Sequence, residues 1–202
     1  MKRRKSKKKE ENFLKKNYSE SWNYIKDSRK FIYSIFWIFV LFIVLALVIP
    51  IPTSLENQLR NFIEQLLMQT EGLSWFGLIK FIFLNNVQSS FSGMIFGAVL
   101  GIFSVLTAIV NGYIIGFVSL IVVREAGISV LWKLLPHGIF ELPALFISLG
   151  LGLKMGTFIF QKKKVESFKN YLINSLKVFA FVVIPLLVVA AIIEGTLIFF
   201  VG

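Results

Sequence analysis

The chain has 202 residues, of which 56% are hydrophobic and 16% charged, with 22 phenylalanines, a mean hydropathy of +0.75 and a net charge of +11. A soluble core of this size cannot hide so much apolar surface, which excludes an ordinary globular domain and points to an integral, multi-pass membrane protein. The absence of cysteine excludes a disulfide framework and a thiolate metal site.

Residues 1–30 open with "MKRRKSKKKE" and hold 12 of the 22 Lys and Arg. Such a run could neutralise nucleic-acid phosphates. Beside a long apolar run it reads instead as a cytoplasmic topology determinant touching anionic lipid headgroups, and no nucleic-acid partner is expected. The apolar run is long and no small-residue cleavage site follows it, so a retained signal anchor is expected.

The first span is placed at 31–51, ending at Pro50 and Pro52, which cannot continue a regular helix. Residues 52–80 form the next unit. Thr53 and Glu56 have capping-box spacing. Leu55, Leu59, Phe62, Ile63, Leu66 and Leu67 recur at three- and four-residue steps, with Glu56, Arg60 and Glu64 elsewhere around the helix. An amphipathic helix on the outer membrane surface is expected here.

Residues 81–202 form a four-span core. The uncharged run Phe81–Val123 is 43 residues long, twice what one crossing needs, so it reads as two helices. The hairpin between them is expected near Gly101 to Ser104, with Asn111-Gly112 as a second candidate break. A further span covers about Leu134 to Met155, a cytoplasmic basic loop about 156–171, and the last span about Leu172 to Phe200. Residues 1–30 and 154–177 together hold 18 of the 22 basic residues. The positive-inside rule puts both in the cytoplasm, which requires four crossings between them. The expected fold is thus all-α, a bundle of about five transmembrane helices with a cytoplasmic N-terminus.

Small residues recur at four-residue steps: Gly93, Gly97 and Gly101, then Gly112 and Gly116, then Ala144, Ser148, Gly152 and Gly156. Such stripes let helices approach closely, within the bundle or across a homo-oligomer interface. The polar residues at membrane depth are Asn85, Asn86, Asn111, His137, Glu141 and Glu194. Buried charge there is costly, so these groups should face the bundle interior and find partners. His137 and Glu141 stand one helical turn apart, and Pro143 permits a kink beside them. One histidine without cysteine makes a poor zinc site. No GxSxG elbow accompanies the lone histidine, so neither catalytic residues nor a cofactor is expected. A proton or ion path through Glu141 and Glu194 is the alternative to a structural role.

The stretches "NNVQSSFSGMIFGAVLGIFSVLTAIVNGYIIGF", "LLPHGIFELPALFISLGLGLKMG" and "AAIIEG" resemble the stage II sporulation protein M family, over roughly Phe81 to Glu194. The resemblance rests on Asn85-Asn86, Asn111-Gly112, Pro136-His137-Gly138 with Glu141, and Ile193-Glu194-Gly195 in that order. It implies a non-enzymatic membrane scaffold whose sporulation member assembles with peptidoglycan-cleaving envelope proteins, the hydrolysis belonging to the partners. The expectation is a multi-pass cell-membrane protein acting as a scaffold or assembly subunit of an envelope complex. The alternative is a transporter or permease subunit with a polar path through Glu141 and Glu194.

Overall fold

The computed structural model describes residues 2–49, 53–128 and 135–201. Every regular element among them is helical: α1 (Lys2–Asp27), α2 (Arg29–Val48), α3 (Thr53–Thr70), α4 (Trp75–Phe96), α5 (Ile102–Ala126), α6 (Leu135–Gly156), α7 (Lys164–Val178) and α8 (Ile184–Val201). A 3-10 turn at Thr157–Phe160 precedes α7, and a π turn at Phe179–Val183 runs α7 directly into α8.

Four stretches are long and apolar enough to cross a bilayer: Arg29–Val48, Ile102–Arg124, Gly138–Phe160 and Lys164–Phe200. At 1.5 Å per residue, α2 alone reaches about 30 Å, the thickness of a hydrocarbon core. The protein is a membrane-spanning helical bundle. With 22 residues α4 is also long enough, but Lys80, Asn85, Asn86 and Gln88 dilute its hydropathy below that of the other four.

Several boundaries differ from the sequence expectation where local caps decide them. Ser74 caps α4, its side chain accepting from the Gly77 amide at 3.2 Å, so the helix starts six residues before Phe81 and takes in Lys80. The segment 52–80 therefore holds α3, a short turn and the start of α4. The first span ends at Val48. The hairpin occupies Gly97 to Gly101, where Leu100 and Gly101 take positive φ of 55° and 74°, and α5 begins at Ile102. Ser104 is therefore buried inside α5, where it donates to the Gly93 carbonyl at 2.9 Å. Asn111-Gly112 is continuous helix. The basic loop expected at 156–171 is helical from Lys164 onward, its first turn closed by Lys163 and Glu166 at 3.0 Å. On α3, Glu56 and Arg60 pair at 3.0 Å, while the side chains of Leu55, Phe62, Ile63, Leu66 and Leu67 lie outside the described residues.

The contacts give each helix a direction. At one end, Lys154 near the end of α6 meets Ser28 at the start of α2, and Lys177 of α7 meets Glu20 of α1. At the other end, Trp75 at the start of α4 donates to Thr196 of α8 at 3.1 Å. α4 then runs back to the first end, because Gly97 and Gly101 at its close lie against α6 between Gly152 and Gly156. It traverses the same depth as its neighbours. α6 is central, with 56% of its most apolar stretch buried against 17% for α2.

Close approach explains the glycines. A Cβ on Gly97 would stand 2.7 Å from the Gly152 backbone, and one on Gly152 would stand 2.8 Å from the Met94 carbonyl oxygen. On the other seam, a Cβ on Gly112 would stand 2.5 Å from the Phe39 carbonyl oxygen and one on Gly116 2.7 Å from that of Ile43, so their absence seats α5 on α2. Gly93 and Gly101 receive the side chains of Leu149 and Leu153. Lipid offers helices no hydrophobic reason to associate, so this van der Waals contact is a main source of cohesion. Edge-to-face rings add to it, with Phe146 of α6 at 5.5 Å from Phe36 and 5.0 Å from Phe39.

Candidate functional site

The polar residues at bundle depth do not gather in one place. Glu141 of α6 and Glu194 of α8 line one cavity of about 310 Å³, walled by Ile114, Ile115 and Val118 of α5 with Gly138 and Leu142 of α6. Both carboxylates are half-buried. Gly138 borders the cavity one turn before Glu141, where a Cβ would stand 3.3 Å from Leu142 Cδ1. Gly195, next to Glu194, brings α8 against α4, where a Cβ would stand 2.7 Å from Ile79. An acidic cavity at bundle depth is where a proton or cation path would run.

The other candidates sit apart. Asn111 donates its side-chain amide to the Thr107 carbonyl at 2.8 Å, satisfying that donor on its own helix. Asn85 is exposed and Asn86 half-buried on α4, and neither lines the cavity. The His137 side chain lies outside the described residues. Among the described residues, no three His, Asp or Glu side chains converge as a metal centre would need.

A second polar centre, at the end of the bundle where α1 lies, is absent from the sequence reading. Lys154 Nζ stands 3.9 Å from the centre of the Tyr24 ring and 5.7 Å from that of Tyr171, and donates to Ser28 Oγ at 2.9 Å. Ser28 Oγ in turn donates to the Tyr24 carbonyl at 2.6 Å. One helical step along, Lys177 donates to Glu20 at 2.8 Å. Burial pushes the Tyr24 hydroxyl up to about 12, with Tyr171 and Asp27 adding to the shift and Ser175 opposing it. The hydrogen bond from Lys177 holds the Glu20 carboxyl below its ordinary value. A signal for this centre was present in the sequence. Asn17, Ser21, Tyr24 and Ser28 recur at helical steps, and the structure buries all but Tyr24, which is half-buried, against the bundle.

A family model described as stage II sporulation protein M matches residues 34–197. The chain belongs to this family. The interval that matches the stage II sporulation protein M family begins inside α2 and ends inside α8, so it contains both carboxylates and both glycine seams. It contains Lys154, Tyr171 and Lys177, but their partners Glu20, Tyr24 and Ser28 precede it. An uncharacterised protein of Methanocaldococcus jannaschii is 36% identical over 107 residues, which cover 50% of this chain and 48% of the relative. The chain thus spans about half the length of the curated relative it matches. No solved structure matches it.

Proposed function

We propose that this member of the stage II sporulation protein M family is a non-enzymatic scaffold or assembly subunit of a cell-envelope complex in the cell membrane. It works as a homo-oligomer beside envelope-associated membrane proteins. In this reading the chain crosses five times with its N-terminus in the cytoplasm. Support comes from α4, which runs the depth of the bundle, and from the basic segments of α1 and α7, which lie against each other at one end. The observation that carries the scaffold role is the attachment of helices to the bundle beyond its apolar stretches. α1 is fastened to α6 and α7 through Lys154 and Lys177, which fixes a surface suited to holding partners rather than converting substrates.

Crosslinking in native membranes followed by mass spectrometry tests this, with wild type beside Glu141→Gln. Wild type captures envelope proteins and copies of itself, and the substitution weakens that capture. Self-crosslinks alone, unchanged by the substitution, would sink the scaffold reading.

One observation favours the second reading, a transporter or permease subunit: the shared cavity of Glu141 and Glu194. Reconstituted protein that moves protons or a solute by itself, and loses flux in Glu141→Gln, would establish it in place of the first.

A further inference from the structure

The two sides of α1 are built for different surroundings. Asn17, Ser21 and Ser28 are buried against the bundle, while Leu14, Tyr18 and Trp22 point outward at four-residue steps, 56, 54 and 47% exposed. A helix in water has no use for such a stripe. Tyrosine and tryptophan rings sit well at headgroup level, where one end is apolar and the other wet. The stripe also leads into a groove of about 610 Å³ lined by Leu14, Lys15, Tyr18, Ser19, Trp22 and Phe181. Phe181 belongs to the π turn just past Lys177, where the uncharged run into α8 begins, and Phe13 packs edge-on against it at 6.4 Å.

We propose that this groove binds one anionic phospholipid, with acyl carbon against Phe181 and Leu14 and the phosphate beside Lys15 and the Ser19 hydroxyl. Charge separates this occupant from a second copy of the chain. Among the described residues, Lys15 is the only ionic one lining the groove. The nearby acid, Glu20, is engaged by Lys177 at 2.8 Å and by Lys16 at 3.9 Å, so it does not repel a phosphate. Twelve of the chain's cations lie in the first 30 residues. Two copies joined through α1 would bring those like charges together, whereas an anionic lipid neutralises them. The geometry gives both parts of a lipid their counterpart: an apolar floor at the entrance to a span and a cationic, hydroxylated rim outside it.

The test uses the full chain with Trp37, Trp75 and Trp132 replaced by phenylalanine, which leaves Trp22 as the reporter. It is reconstituted in phosphatidylcholine vesicles carrying the same mole fraction of either brominated phosphatidylglycerol or brominated phosphatidylcholine. Brominated phosphatidylglycerol quenches Trp22 more strongly, with a preference of about fivefold, the effect of one cation near an anionic surface. Lys15→Gln abolishes the preference, and Lys26→Gln, an exposed cation of α1 outside the groove, keeps it. Equal quenching by the two lipids would overturn the proposal. So would equal loss in both lysine variants, which would mean diffuse attraction to the whole helix. A Trp22 shielded from both lipids and crosslinked to a second copy would assign the groove to another chain and end the lipid reading.

Discussion

Lys154 and Tyr24 belong to helices far apart in sequence, yet the ammonium stands 3.9 Å from the centre of the phenol ring and donates to Ser28, the residue between α1 and α2. A cation at the end of a span is thereby satisfied by a ring face and a hydroxyl instead of a carboxylate. This contact sets where α1 leaves α2 and holds it along α7.

Removing the cation should loosen α1 before it affects the bundle. Lys154→Met is expected to weaken docking by about 1–2 kcal/mol, the range of a partly desolvated cation–π contact. Hydrogen exchange across residues 13–27 reads this directly. Faster exchange there, with α5 and α8 unchanged, is the expected pattern, and Lys154→Arg should largely restore protection. Unchanged exchange in Lys154→Met would mean that α1 is held by its apolar contacts alone.

The same junction should depend on pH from both sides. Because the folded chain holds the Tyr24 proton more tightly than an exposed phenol, that contribution is whole below pH 10.0 and is lost as pH rises through about 12. Glu20 has the opposite sign. Its lowered pKa adds stability above the ordinary carboxylate value of 4.5, which is lost as pH falls below it. Glu20 is well exposed, so the acid effect is the smaller. Protease protection of α1 measured at acid, neutral and alkaline pH should peak at neutrality, and Tyr24→Phe should flatten the alkaline limb.

The glycine seams predict unequal costs for the same substitution. Gly97→Ala drives a methyl into Gly152 backbone at 2.7 Å and should cost about 1–3 kcal/mol, because backbone cannot step aside as a side chain can. Gly77→Ala meets side-chain atoms, the nearest being Ser74 Oγ at 3.3 Å and Leu73 Cβ at 3.4 Å, and should be close to neutral. Thermal unfolding of the purified proteins, compared at one detergent concentration, distinguishes them.

Crossing number can be read with single cysteines, since the chain has none of its own. Lys15→Cys, Val99→Cys and Gln161→Cys should react with an impermeant thiol reagent from the same side of the membrane. Met68→Cys and Ile128→Cys should react from the other. Labelling of position 99 together with position 68 would mean that α4 does not cross, leaving four spans.

The two cavity carboxylates should be energetically coupled. Glu141→Gln and Glu194→Gln together should depart from the sum of their separate effects on thermal stability by about 0.5 kcal/mol or more. Strict additivity would show that sharing a cavity does not make them a unit.

Much of the helical plan was legible because periodicity and length are local properties. The 43-residue uncharged run had to be two helices, and it is. The exact turn was less accessible, since Leu100 adopts a positive φ that its side chain does not advertise, while the seam between Gly97 and Gly152 needs both helices at once. Glu141 and Glu194 stand out in the sequence by the cost of charge in lipid and by the family's residue pattern, while their shared cavity follows from the arrangement of α6 and α8 that no single segment encodes. Charge density hid α1. A segment with so many lysines reads as solvated, and the buried Ser21 and Ser28 carry too little hydrophobicity to contradict that reading.

The π turn at Phe179–Val183 amounts to one residue inserted into an otherwise continuous helix. An α-helix advances about 100° per residue and the wider i→i+5 turn less, so the extra residue is absorbed within the turn and α7 and α8 keep nearly the azimuths of an uninterrupted helix. Its effect is local: the turn carries Phe179 onto Phe91 and Phe181 onto Phe13, while Lys177 just before it reaches Glu20. Removing one residue from that turn would restore regular α-helix and unseat those two rings, while α7 kept its face toward α1.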